Sequence, residues 1–177
     1  MSRNVAKERE HDAKLDDLFL LIKTNDIDRV QAFLFDNQLT LNVNRVRWSG
    51  FSVMHKAAAS GLTDVCFLLL ENGAELNMRS TRGWYTPLHL ACGNGYFETA
   101  MYLIKKGADS KALSKYKEDI YTYAIKRGFR SSTDDLRKAV FLHEMKIAAS
   151  AHDNSRKSQS PTTERVAVVE GEQKKYR

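Results

Sequence analysis

Cysteine is scarce in this chain. Cys66 and Cys92 are the only two in 177 residues, so a disulfide framework is excluded. They do not form a CxxC pair, and no HExxH or Cys/His cluster accompanies them, so no metal centre is expected. Long hydrophobic runs are also missing. Leu18-Phe19-Leu20-Leu21-Ile22 falls far short of the roughly 20 apolar residues that a membrane helix needs. The opening stretch MSRNVAKEREHDAK carries acids and no apolar segment, so it does not read as a secretory signal. Phosphate-cradling loops are absent as well. Gly93-Asn94-Gly95 supplies a GxG without a third glycine or a preceding strand. No Ser-His-Asp order is visible, so neither catalysis nor a bound cofactor is expected. These absences leave an intracellular, soluble and reduced protein as the expectation, cytoplasmic, with nuclear or cytoskeletal placement as alternatives.

What is present is ordinary globular material. Hydrophobic residues make up 42% and charged residues 28%, enough apolar content for a core without covalent staples. Lys plus Arg exceed Asp plus Glu by 28 to 22, a net charge of +6. That excess favours an acidic partner surface without requiring nucleic acid.

Eight of the nine glycines lie between Gly50 and Gly128. Gly50 and Gly83 are 33 apart, Gly61, Gly95 and Gly128 are separated by 34 and 33, and Gly73 and Gly107 by 34. Other residues repeat in the same phase. Ser52-Val53-Met54-His55-Lys56-Ala57 aligns with Thr86-Pro87-Leu88-His89-Leu90-Ala91, and Asn72-Gly73-Ala74-Glu75 with Lys106-Gly107-Ala108-Asp109. The extra residue of the longer step falls at Trp84-Tyr85. Within each copy, two short apolar stretches at helical spacing are parted by a glycine. Such helix pairs cannot bury an apolar face alone, and stacked neighbours must cover it.

The segment Thr86 to Gly95 followed by Gly107-Ala108-Asp109 resembles an ankyrin repeat, and Gly50 to Met78 resembles a second. Degenerate copies flank them, at Asp119 to Gly128 and at Leu18 to Asn37, where Asn25 and Asn37 stand at glycine places. Asn tolerates the left-handed turn better than most residues. The resemblance covers residues 13–130 and implies an all-α solenoid of about four helix-turn-helix copies with projecting turns. It also implies that His55 and His89 are structural, bonding neighbouring turns. Residues 1–12 read as an N-terminal extension. Residues 131–149 read as an added C-terminal helix on the last repeat, started by a capping box at Ser132 and Asp135 and packed through Leu136, Val140, His143 and Ile147. Residues 150–177 read as a flexible polar tail.

The resemblance implies protein recognition through turn tips and the inner helices. On this chain the tips carry Arg47, Trp48 and Phe51, then Arg79, Arg82, Trp84 and Tyr85, then Lys115, Tyr116 and Lys117. No acid occurs between Glu75 and Glu98. Arg, Trp and Tyr are the residues most enriched at binding hot spots. The expected role is an adaptor or assembly subunit that takes an acidic protein surface on these tips. The alternatives are a fixed component of a cytoskeletal or ciliary assembly, and a nucleic-acid-associated protein. On the adjoining inner-helix face, Ala59, Ser60, Gly93 and Asn94 predict a shallow groove, bordered by Lys126 and Arg127.

Overall fold

The computed structural model describes residues 2–47 and 49–157, with side chains over 5–47 and 49–149. Eight helices and no strand occur among the described residues. They are α1 (Ser2–Thr24), α2 (Ile27–Asn37), α3 (Val53–Ala59), α4 (Thr63–Glu71), α5 (Pro87–Gly93), α6 (Phe97–Lys105), α7 (Ile120–Lys126) and α8 (Arg130–Lys157). The chain divides into one unit of residues 1–143 and a second of residues 144–177. The repeats lie in the first unit.

Each copy is a helix pair joined by a left-handed residue. Asn25 joins α1 to α2 at φ 53°, and Gly61, Gly95 and Gly128 join the following pairs at 73°, 80° and 101°. The short inner helices start on polar caps. The Asp119 carboxylate accepts the Thr122 N–H at 2.7 Å, and Ser52 and Thr86 cap α3 and α5 in boxes completed by His55 and His89. Pro87 sits in the first turn of α5, where its missing N–H costs nothing.

One apolar seam runs through the stack. Leu15, Leu18, Ile22, Val30, Leu34, Met54, Val65, Leu69, Leu88, Leu103, Ile120 and Leu136 are all buried in it. Alanines at 57, 58, 91, 100 and 124 are buried between the larger side chains, which lets neighbouring helices approach closely. Asparagines tie the connecting loops. Asn44 donates to the Gly73 carbonyl at 2.9 Å and accepts the Glu75 N–H at 2.7 Å, and Asn77 accepts the Asp109 N–H at 2.9 Å.

The ends depart from expectation. Residues 2–12 are the first half of α1, with no break at residue 12. Asn37 is the last residue of α2, and no left-handed φ is found there. Its side chain donates to the Phe33 carbonyl at 2.9 Å, as Asn72 does to Leu68 at 2.8 Å, so it matches Asn72 rather than a glycine. Helix α8 starts at Arg130, so Ser132 and Asp135 lie inside it and form no cap. Its phase explains this: Gly128-Phe129 precedes α8 as Gly61-Leu62 precedes α4. Thus α8 is the outer helix of the fourth copy, not an addition to it. Leu136 and Val140 are buried, whereas Ile147 is 57% exposed. The helix also runs past residue 150 to Lys157, because no Gly or Pro occurs between Gly128 and Pro161 to stop it. Residues 158–177, the rest of the expected tail, lie outside the described residues.

Candidate protein-recognition edge

A backbone hydrogen bond spans the base of each projecting turn. These run from Arg47 N–H to Phe51 C=O at 3.1 Å, from Ser80 to Tyr85 at 2.9 Å, and from Ser114 to Glu118 at 2.9 Å. The second turn is one residue longer, and Trp84 takes the extra place at φ 56°. Serines fix the turn bases. Ser80 Oγ donates to the Arg82 carbonyl at 2.9 Å and accepts the Tyr85 N–H at 3.0 Å, while Ser114 Oγ accepts the N–H groups of Tyr116 and Glu118, both at 3.2 Å. Neighbouring tips bond to one another. Thr81 N–H donates to Gly50 C=O at 3.0 Å, and Lys115 N–H to Gly83 C=O at 2.9 Å. The tips therefore form a connected row.

The second and third tips present Arg79, Arg82, Trp84, Lys115, Tyr116 and Lys117, all exposed. Trp84 is 48% exposed, and the Arg79 guanidinium lies 5.9 Å from its ring centroid. Such a cation-aromatic contact holds both groups in a flat, presented arrangement. Tyr116 is 64% exposed.

The other predicted residues turn inward. Arg47 spans two carboxylates of α1: its Nε donates to Asp16 at 3.0 Å and its Nη1 lies 3.0 Å from Asp12. Only 10% of its side chain is exposed, so the structure spends this cation on holding α1 to the first turn. Arg45 joins Asp12 at 3.0 Å. Phe51 packs on the His55 ring at 5.6 Å. Tyr85 packs between Tyr123 at 4.6 Å and His89 at 6.0 Å, and burial pushes its phenol pKa up. Trp48 lies outside the described residues.

The inner-helix groove is bridged rather than open. Asn94 donates to the Ala59 carbonyl at 2.8 Å. Arg127 reaches back to the Gly93 carbonyl at 3.2 Å and to Asn94 Oδ1 at 3.3 Å. The Tyr123 ring lies directly on Gly93.

Sequence reasoning passed over Glu118 and named Lys126 only beside the inner-helix groove. Glu118 occupies the place of Phe51 and Tyr85 before each cap, and Lys126 the place of Ala59 and Gly93. Both are departures from the repeat, which was the available signal. Glu118 is 9% exposed, and its Oε1 lies 2.7 Å from Lys126 Nζ.

The fold and its row of turns define an all-α repeat protein of the recognition-scaffold type. Residues 54–137 match the family model for ankyrin repeats in three copies, and this part of the chain is built of ankyrin repeats. It is 39% identical over 91 residues to protein phosphatase 1 regulatory subunit 27 of Mus musculus and of Homo sapiens, covering 51% of this chain and 57% of each relative. It is 32% identical over 125 residues to protein phosphatase 1 regulatory subunit 12A of Mus musculus, covering 71% of this chain and 11% of that one. The chain thus matches little more than half the length of the first relatives and a small part of the third. No helix among the described residues is long and apolar enough to cross a membrane.

Proposed function

We propose that this chain is a non-catalytic protein-recognition subunit, an adaptor that takes an acidic protein segment along its second and third turn tips. The observation that carries this is the row of Arg79, Arg82, Trp84, Lys115, Tyr116 and Lys117, exposed on turns that are hydrogen-bonded to one another. The charges supply steering and the flat rings supply buried contact area. The ankyrin family and two relatives named as regulatory subunits support the recognition role. Their names also make protein phosphatase 1 the first partner to test.

The experiment is capture of purified protein phosphatase 1 by the full chain beside two variants. Trp84→Ala should weaken binding by about 2 kcal/mol if that ring is an anchor. Reversing Arg79 and Arg82 to Glu should slow association and remove its salt dependence, with the melting temperature unchanged. Capture that is normal in both variants sinks the edge as the binding surface. Absence of capture by the wild-type chain sinks the choice of partner.

A further inference from the structure

The fourth copy begins on a turn unlike the others. At Phe51 and Tyr85 a ring precedes the helix cap and packs against the histidine of its own copy. At the same place in the third turn stands the carboxylate of Glu118, with Thr122 where the histidine would be. Where earlier copies carry Ala59 and Gly93, α7 carries Lys126. The two changes meet, since Lys126 Nζ lies 2.7 Å from Glu118 Oε1. That ammonium also lies 6.0 Å from the centroid of the exposed Tyr116 ring.

We propose that Glu118, with the ring of Tyr116, forms a binding notch for an arginine side chain of a partner protein, and that Lys126 fills it as an internal surrogate. Three features point this way. The carboxylate is nearly buried, and a buried carboxylate requires a cation. Its second oxygen, Oε2, has no hydrogen-bond partner, so one lysine leaves half of its acceptor capacity unused. A guanidinium presents a planar fork that takes both oxygens and stacks on tyrosine faces, which an ammonium cannot do. The occupant is also replaceable. Lys126 enters from the surface with 65% of its side chain exposed, so it can swing into solvent without unpacking a helix.

This notch borders the basic edge and shares Tyr116 with it. Arg79 and Arg82 contribute nothing to it, and an acidic partner segment carrying one arginine would engage both. The probe is the tripeptide acetyl-Ala-Arg-Ala-amide, with lysine and citrulline versions, titrated against the full chain and followed by NMR. Lys126→Met keeps the aliphatic stem and removes the competing charge. It should bind the arginine peptide about tenfold more tightly than the wild type, the scale of one charge-assisted contact. The lysine peptide should bind more weakly and the citrulline peptide not at all. Adding Glu118→Gln should abolish the gain, while Arg79→Glu with Arg82→Glu should leave it intact. In the wild type, saturating arginine peptide should shift the Lys126 side-chain resonances as that residue is displaced, a readout that needs no variant to fold. No gain in Lys126→Met, equal binding of the citrulline peptide, or unmoved Lys126 resonances at saturation would each overturn the proposal and leave the pair a structural ion bridge.

Discussion

His55 Nε2 donates to the carbonyl oxygen of Tyr85 at 2.9 Å, across the boundary between two copies. Its Nδ1 accepts the Ser52 N–H at 3.2 Å, which fixes the tautomer with the proton on Nε2. His89 repeats the arrangement on the Glu118 carbonyl at 3.2 Å and the Thr86 N–H at 3.4 Å. Each ring thus bonds its own cap on one side and the next copy on the other.

Both rings are fully buried, and burial holds their pKa values below the ordinary 6.5. His11 is lowered in the same direction, first by burial and then by Arg45. A base with a depressed folded pKa binds fewer protons folded than unfolded just below its ordinary value. Its stabilising contribution is therefore complete above about pH 6.5 and declines as pH falls below that value. The melting temperature should drop between about pH 7 and pH 5, and a chain with His55→Gln and His89→Gln should show a shallower drop. An unchanged slope in that variant would place the proton uptake elsewhere.

Two glycines should respond to substitution for different reasons. Gly107 ends α6 at φ 98°, and a Cβ there would meet nothing within 4 Å. Gly107→Val should therefore cost only the strain of a β-branched residue in the left-handed region, about 1–3 kcal/mol. Gly93 lies inside α5, and there a Cβ would come within 2.2 Å of the Tyr123 ring. Gly93→Ala should push Tyr123 off α5 and disturb the Tyr85 contact. The first loss reads out as a lowered melting temperature with unchanged tyrosine signals, the second as a change in near-ultraviolet circular dichroism.

The two thiols should be inert while the chain is folded. Cys66 and Cys92 are fully buried, and burial raises each pKa to about 12. Thiolate is the reactive form, so labelling near pH 8 must wait for opening of the stack. Ellman's reagent should label neither thiol on the timescale on which it labels both in guanidinium, and Gly107→Val should speed the reaction in proportion to its loss of stability. Immediate labelling of either cysteine in the folded chain would contradict the burial.

The repeat was legible because its physics is local. A left-handed turn favours Gly or Asn, so Gly61, Gly95, Gly128 and Asn25 marked the junction inside each helix pair before any contact was known. The extra residue assigned to Trp84-Tyr85 falls where Trp84 takes a positive φ. Helix ends were less legible. The polar stretch Ser131 to Asp135 looks like a start, but Gly128 had already set the chain into the next outer helix. Exposure of the tips depended on partners distant in sequence. Nothing near Arg47 announces that Asp12 and Asp16 will reach it, 35 and 31 residues earlier. The groove of small residues was legible as a pattern and misleading as a cavity, because Tyr123, Asn94 and Arg127 span it.

Arg47 distinguishes a tip cation that holds the fold from one that is presented. Its guanidinium bridges Asp12 and Asp16, four residues apart on one face of α1, and it is largely buried while the two acids are 34% and 50% exposed. The exposed acids lower the worth of the contact below that of a fully buried pair, whereas the bidentate fork raises it above an ordinary surface pair. Arg47→Ala should therefore destabilise the first copy by about 1–2 kcal/mol. Arg47→Glu should cost more, since three carboxylates would then face one another. Arg79→Ala and Arg82→Ala, whose side chains are exposed, should lie within about 0.5 kcal/mol of the wild type. Urea unfolding of the four variants separates the cases. If Arg47→Ala were as stable as Arg79→Ala, the α1 clasp would be a surface contact of no consequence. Arg47 would then rejoin the presented cations, and the edge would run through all three turns.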